Sequence, residues 1–352
     1  MTDKTKITRI IVVGDAYVSP ATMEKAAAQL GCSNAQIIPL MWGSGNRDEF
    51  AEMQTAIEHS GPDAAPYPPE LDRLIEDAEI LMVHFCPLPA SLLRRAKRLI
   101  MVGVCRGGVD NIAVEALTEN RIPLVHIIRN AEAVAEFTLG LMLAETRNIA
   151  RSHSLMMQGI WPSEFPNSEY TATLKNLTVG IAGLGNIGAL LAQKLSALGV
   201  KLLGFDAYLP QAVLRALPVS PVESLEELFR QSDVISLHLR LTQENQGMIS
   251  RGLLAQMKPT AYLINAARAG LIDEEALVEA LEEHRIAGAA LDVFADEPLR
   301  PDSPLLKLDN VTLTPHIAGD TVDAIALSAY PLAQAMAEVL EKGRTPRVYN
   351  QF

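Results

Sequence analysis

The chain has 352 residues, 49% of them apolar and 20% charged, with a net charge of -12. That length is comfortable for two hydrophobic cores, and the composition is that of a globular protein, not a disordered or fibrous one. The acidic balance argues against nucleic acid and against anionic membrane surfaces as partners, because both would repel it.

In chain order, residues 7–14 read as a buried strand ending in a turn, and residues 21–30 as a helix. Residues 80–84 form a second strand that opens into the Pro-punctuated loop 85–89, and residues 99–104 form a third, followed by Cys105-Arg106-Gly107-Gly108. Strands alternating with helices imply a parallel sheet, whose ligands bind at the carboxyl ends of the strands, here after His84 and Val104. The stretch between Pro39 and Pro69 has no readable pattern. A long helix is expected from Asn130, its cap, to about Ile149, apolar around much of its circumference as for a helix buried between domains. Residues 159–173, with Trp161, Pro162, Phe165 and Pro166, read as an irregular connecting arm.

From Leu177 the pattern sharpens. Residues 177–182 form a strand, Gly183-Leu184-Gly185-Asn186-Ile187-Gly188 opens a helix to Leu198, and residues 200–205 form a strand ending at Asp206. Four more strands follow at 233–239, 261–264, 288–292 and 311–314, giving six strands and one complete dinucleotide-binding sheet. Residues 320–352 are mostly helix and are expected to return and pack on the first domain. The boundaries this suggests are 1–125 plus 320–352 for a substrate domain and 126–319 for the nucleotide domain.

A Gly-x-Gly-x-x-Gly run alone is weak evidence. Here it follows a strand, opens a helix and has an acidic residue 23 positions after its first Gly, which is the context that a dinucleotide site demands. Gly183 permits the tight turn, Gly185 lets backbone approach the pyrophosphate, and Gly188 lets helix and strand pack closely. The pyrophosphate then meets the N–H groups of the helix N-terminus. Asp206 would accept hydrogen bonds from the adenine ribose and repel a 2′-phosphate, so NAD is expected, not NADP.

Three further segments fall at the carboxyl ends of expected strands: Asn265-Ala266-Ala267-Arg268, Asp292-Val293-Phe294-Ala295-Asp296-Glu297 and Thr314-Pro315-His316. Oxidising a hydroxyl by hydride loss needs a base, and His316 is the natural candidate. A carboxylate beside it, Glu297, favours the protonated ring that reduction of a keto group requires. Arg268 can grip a substrate carboxylate with two parallel hydrogen bonds and polarise the neighbouring carbonyl. His238 is expected to have a structural or cofactor-loop role. Cys32, Cys86 and Cys105 are widely spaced without a Cys-x-x-Cys pair, which argues against disulfides and a zinc site, so no metal is expected. Cys105 reads as an inert small hydrophobe. With no signal-peptide pattern and no apolar run long enough to span a bilayer, a cytoplasmic location is expected.

Taken in order, GVCRGGVDNI, NAEAVAEFTLGLML, VGIAGLGNIG, LINAARAGLIDEEAL, LDVFADEPL and TPHIAG resemble the D-isomer-specific 2-hydroxyacid dehydrogenase family, which includes 3-phosphoglycerate dehydrogenases, glyoxylate/hydroxypyruvate reductases, D-lactate dehydrogenases and formate dehydrogenases. The resemblance implies an α/β fold of two doubly wound domains, a Rossmann NAD-binding domain inserted in a flavodoxin-like substrate domain, and a homodimer through the nucleotide domains. It implies catalytic roles for Arg268, Glu297 and His316. It places Asn186, Ile187, Asp206, Ala266, Ala267, Asp292 and Gly319 at the NAD site, together with His238, Arg268 and His316. The implied reaction moves a hydride between nicotinamide and C2 of a D-2-hydroxy or 2-oxo acid. The family also contains an NAD-sensing transcriptional corepressor that keeps the three catalytic residues, so an NAD(H)-sensing binding protein is the alternative; an acidic chain without an obvious disordered tail favours the enzyme.

Two departures from the family pattern bear on the substrate. The turn before the long helix reads His126-Ile127-Ile128-Arg129-Asn130 in place of the usual Pro-Gly turn, and Arg240 stands where the family has Pro after its fourth nucleotide strand. Cys86, Arg106, Gly107, Arg129, Asn130 and Arg268 are the expected substrate contacts. With Arg106 and Arg129 near the cleft, a phosphorylated or sugar-derived acid is expected over lactate or glyoxylate.

Overall fold

A computed structural model describes residues 3–343, 345 and 347–352. The chain divides into two units, residues 1–130 with 321–352, and residues 131–320. In the first, β1 (Arg9–Gly14), β2 (Gln36–Met41), β3 (Ile80–Val83), β4 (Met101–Val104) and β5 (Leu124–His126) form one sheet in the order β2-β1-β3-β4-β5. Every pairing is parallel. This is the flavodoxin-like order, in which the direction of winding reverses between β1 and β3.

The apolar runs of β1 and β3 follow from burial on both faces. Ile11, Val13, Leu81 and Val83 face one core with Trp42, Phe50 and Phe85. Ile10, Val12, Ile80 and Met82 face another, closed by Leu332, Met336 and Val339 of the helix Ala329–Lys342. Gly103 lets that helix lie close, since a Cβ there would stand 2.3 Å from Met336 Sδ.

The second unit holds β6 (Thr178–Ala182), β7 (Lys201–Phe205), β8 (Ser220–Pro221), β9 (Val234–Leu237), β10 (Tyr262–Asn265), β11 (Gly288–Leu291) and β12 (Val311–Leu313). All are parallel, in the order β12-β11-β10-β9-β6-β7-β8. This is the Rossmann order with one added strand beyond its last, and its winding reverses between β6 and β9. Leu141, Leu191 and Leu195, from the helices Ala131–Thr146 and Asn186–Ala197, cover one face together with Val179 and Ile264. Phe229, Leu277 and Leu281 cover the other with Ile235 and Leu263.

Three expectations are corrected. The stretch after Pro39 holds the end of β2 and a helix, Arg47–Ser60, capped by Asn46 Oδ1, which accepts from Asp48 N at 2.7 Å. β2 escaped notice because it is a half-exposed edge strand containing Pro39, a residue that only an edge tolerates. The long helix stops at Thr146 instead of running to Ile149. Asn148 takes a left-handed conformation, φ 57°, and a separate helix, Ile149–Met157, begins after it. Buried Glu145 accepts from Arg151 across that break, and its other oxygen accepts from Thr312 Oγ1 at 2.7 Å. The nucleotide sheet has seven strands instead of six, because β8, two residues long, adds an edge. Residues 159–173 carry neither helix nor strand. No described helix is long and apolar enough to cross a membrane.

Candidate active site

The Gly-rich turn sits at the carboxyl end of β6, beside the reversal of the nucleotide sheet. Gly183 has φ 91°, and a Cβ there would meet the His238 carbonyl oxygen at 2.7 Å, so no other residue fits without moving the β9 loop. At Gly188 a Cβ would fall 2.0 Å from the Gly183 carbonyl oxygen, which is why helix and strand can approach so closely here. At Gly185 a Cβ would project into open space at the start of the helix Asn186–Ala197. That combination, a backbone cradle left empty by a glycine and facing a helix N-terminus, fits a pyrophosphate.

Asp206 follows β7 and is tied into this turn. Its Oδ2 accepts from Leu184 N at 2.8 Å, and its Oδ1 accepts from Tyr208 N and Leu209 N at 2.9 and 3.0 Å. The carboxylate therefore fixes the turn and keeps its charge beside the loop, with about one of its roughly four acceptor sites left for a ribose hydroxyl. His238 follows β9. Burial lowers its pKa to about 4, and its Nε2 lies 2.9 Å from Ser236 Oγ, so it is a neutral ring of the nucleotide unit and not a proton carrier near neutrality.

At the ends of β10, β11 and β12 the other three segments meet. His316 Nδ1 lies 2.7 Å from Glu297 Oε2, and Glu297 Oε1 accepts from Phe294 N at 3.0 Å. Burial pushes the Glu297 carboxyl up, but the hydrogen bonds from His316 and Phe294 and the charges of His316 and Arg268 hold it below the usual carboxylate value. It is therefore ionised near neutrality, and with its proton-bearing Nδ1 held, the His316 ring can take or give a proton only at Nε2. The pair forms the polar edge of a cavity of about 420 Å³ walled by Phe294, Leu299, Leu306 and Leu313.

Two residues whose local roles escaped the sequence reading hold these groups in place. Asn265 ends β10; its Oδ1 accepts from Ala267 N at 3.0 Å and its Nδ2 donates to Arg268 O at 2.9 Å, fixing the backbone of the Arg268 loop. Arg268 itself is exposed, with Nη1 donating to Ala267 O at 2.6 Å. Asp292, fully buried, follows β11. Its Oδ1 accepts from Thr314 Oγ1 at 2.6 Å and from Ile317 N at 3.1 Å, and its Oδ2 accepts from Ala318 N at 2.8 Å. This clamp holds His316 at φ 54°, a left-handed conformation unusual outside glycine. The carboxylate expected at the NAD site thus acts on the backbone around His316. The available signal was a polar residue closing an otherwise apolar strand.

The remaining expected residues lie in the first unit or line the nucleotide loops. Cys86 is corrected: it is fully buried, burial raises its thiol well above the ordinary range, and it belongs to the core and offers a ligand nothing. Cys105 is likewise buried beside Met23, its thiol pushed up to about 12. Arg106 lies over the Phe85 ring at 3.8 Å from the centroid and pairs with Glu58 and Asp110 at 3.3 and 3.7 Å. Gly107 is exposed, and its carbonyl lies 3.2 Å from His126 Nδ1. Arg129 donates to His84 Nε2, and Asn130 immediately precedes the helix Ala131–Thr146. Ala266 is buried, while Asn186 is exposed and Ile187 and Gly319 are half-exposed at the loop ends.

Residues 139–318 match the NAD-binding domain of the D-isomer specific 2-hydroxyacid dehydrogenases. A glyoxylate reductase of Thermofilum pendens is 38% identical over 300 residues, 84% of this chain and 88% of its own length. A D-3-phosphoglycerate dehydrogenase of Methanocaldococcus jannaschii is 39% identical over 284 residues, 80% of this chain. The matched region is 53% of that relative's length, so the chain corresponds to about half of it. An NAD-complexed D-isomer specific 2-hydroxyacid dehydrogenase from Lactobacillus delbrueckii ssp. bulgaricus shares the fold, with a TM-score of 0.72 at 23% identity over 97% of this chain and all of that one. The chain belongs to the D-isomer specific 2-hydroxyacid dehydrogenase family, and its nucleotide unit is an NAD-binding domain.

Proposed function

We propose that this protein is an NAD-dependent oxidoreductase acting at C2 of a D-2-hydroxy acid or its 2-oxo counterpart. The observation that carries this reading is the His316–Glu297 pair beside Arg268, built at the carboxyl ends of three adjacent strands of an NAD-binding sheet. Bound nicotinamide accepts or supplies the hydride. His316 takes the hydroxyl proton in oxidation and returns it to the carbonyl oxygen in reduction. Glu297 holds the ring through Nδ1 and stabilises its positive form. Arg268 binds the substrate carboxylate and polarises the carbonyl, as a planar fork can. Asp206 keeps a negative charge beside the Gly-rich turn, which favours NAD over a cofactor bearing a 2′-phosphate.

The reading is tested by offering the purified chain NADH or NADPH with a panel of 2-oxo acids. NADH oxidation dependent on at least one 2-oxo acid is expected, with a preference for NADH over NADPH. Failure with every member of the panel would overturn the assignment. Three free cysteines, two of them fully buried, suit the reducing cytoplasm in which we place the protein. We further assign a homodimer through the nucleotide units, on the exposed apolar surface of the helix Ile149–Met157 and the arm after it. Met157 is 75% and Trp161 82% exposed, a costly patch on a monomer. Light scattering should return twice the chain mass, and a monomer would remove this assignment.

A further inference from the structure

The loop that leaves β9 joins the two ends of the nucleotide unit's site. A Cβ at Gly183 would meet the carbonyl oxygen of His238, the first residue of the loop, at 2.7 Å and Leu239 Cδ2 at 3.1 Å. Leu241 reaches the Arg268 loop instead, since a Cβ at Gly270 would fall 2.8 Å from Leu241 Cδ2. Leu239 and Leu241 both pack on the core that holds Ile235, Leu263 and Leu277. The residue between them, Arg240, is exposed. The backbone beneath it is held: Asn245 Nδ2 donates to Arg240 O at 2.8 Å, Asn245 Oδ1 accepts from Thr242 N at 2.7 Å, and Gly247 N donates to Gly270 O at 2.8 Å.

In the sheet β9 lies between β6 and β10, so a dinucleotide that joins the Gly-rich turn to the Arg268 loop crosses the end of β9. The charges along that path are uneven. Residues 183–188 carry no charged side chain and meet an anion with backbone N–H groups alone. Asp206, the carboxylate tied into the turn, repels a diphosphate as well as a 2′-phosphate. Arg268 is reserved, in the function proposed above, for the substrate carboxylate. Arg240 is the cation at the crossing, and among the described residues no carboxylate pairs with it. Elsewhere in the same unit Arg251 and Arg285 both pair with Glu279.

We propose that Arg240 binds the diphosphate of the bound dinucleotide and supplies the cation that the Gly-rich turn lacks. A guanidinium presents parallel N–H groups to phosphate oxygens, as a planar fork suits. Leu239 and Leu241 anchor the loop on either side, so the cation stays at the crossing with no carboxylate competing for it. The inference rests on the dinucleotide site described above, adds a residue to it, and involves the nucleotide unit alone.

The test is equilibrium binding to the full chain, read by NADH fluorescence and, for ligands without that signal, by competition against NADH. Wild type and Arg240→Gln are compared with NADH, ADP-ribose and adenosine, and folding is checked by Tm. Arg240→Gln should weaken NADH and ADP-ribose ~10-fold, through loss of a charge-assisted contact, and leave adenosine, which has no phosphate, within about twofold. Because the contact lies at the surface, raising NaCl from ~0.05 to ~0.5 M should weaken ADP-ribose binding more in wild type than in the variant. A variant that binds ADP-ribose as wild type does would overturn the proposal and leave Arg240 a solvated loop charge. Equal losses for adenosine and ADP-ribose would overturn it too, since the contact would then be to the nucleoside and not to the diphosphate. A salt dependence that the substitution does not change would have the same consequence. Wild type that binds neither NADH nor ADP-ribose would overturn the dinucleotide site and this inference with it. Binding that Arg240→Gln leaves unmoved overturns this inference alone.

Discussion

Each of the two sheets ends in a carboxylate–histidine pair with an arginine close by, and the two pairs have nearly the same geometry. His84 Nδ1 lies 2.8 Å from Asp15, and His316 Nδ1 lies 2.7 Å from Glu297. Their surroundings differ sharply: the side chains are 2% and 0% exposed in the first pair and 48% and 37% in the second. In the buried pair every acceptor of Asp15 is used and Arg129 occupies the far nitrogen of the ring, so a proton has neither a route nor a vacancy. In the exposed pair Nε2 of His316 has no protein partner among the described residues, and the ring stands at the edge of a cavity. The same kind of pair therefore makes a fixed strut in one place and, in the function we propose, a proton carrier in the other. Access, and the partner on the second nitrogen, decide which.

The largest expected effect breaks the comparison at its catalytic end. His316→Ala should lower turnover by ~10²-fold or more with little change in the NADH dissociation constant, because proton transfer is lost and the nucleotide turn is untouched. Wild-type turnover in that variant would remove His316 from the mechanism and leave the two pairs alike in being structural.

The exposed pair was legible in the sequence because each member sits in a short motif whose chemistry names its partner, and only 19 positions separate Glu297 from His316. The Gly-rich turn was legible for a related reason: Gly183, Gly188 and Asp206 act on backbone that is close in sequence or one strand away. The buried pair was not, since Asp15 and His84 lie 69 positions apart and their contact exists only once β1 and β3 are neighbours. Each reads in isolation as a polar residue ending an apolar strand. Asn265 and Asp292 were hidden differently: they stood inside recognised motifs, but what they hold is the backbone a few residues on or on the next strand, which no side-chain pattern reports. The break at Asn148 carried no glycine or proline to announce it, and it depends on Arg151 reaching Glu145 and Asn148.

The smallest expected effect sharpens the comparison through pH. The folded pKa of His84 lies below its ordinary 6.5, with burial as the largest cause. As pH falls through 6.5 the unfolded chain takes up a proton at this residue and the folded chain does not. The stability contributed by keeping the ring neutral is therefore complete above pH 6.5 and is lost progressively as pH falls toward the folded value. Such a group adds at most about 1.4 kcal/mol of destabilisation per pH unit below 6.5. His238, with its pKa lowered to about 4, adds a slope of the same sign. Thermal melts between pH 7.5 and 5.0 should show a falling Tm in the wild type and a shallower fall in His84→Gln, which keeps the His238 part and loses the other. Equal slopes would mean that His84 titrates as freely in the folded chain as in the unfolded one. The imidazole would then be reached by protons, Arg129 would lose its acceptor whenever the ring charged, and the distinction between strut and carrier would fail at its buried end.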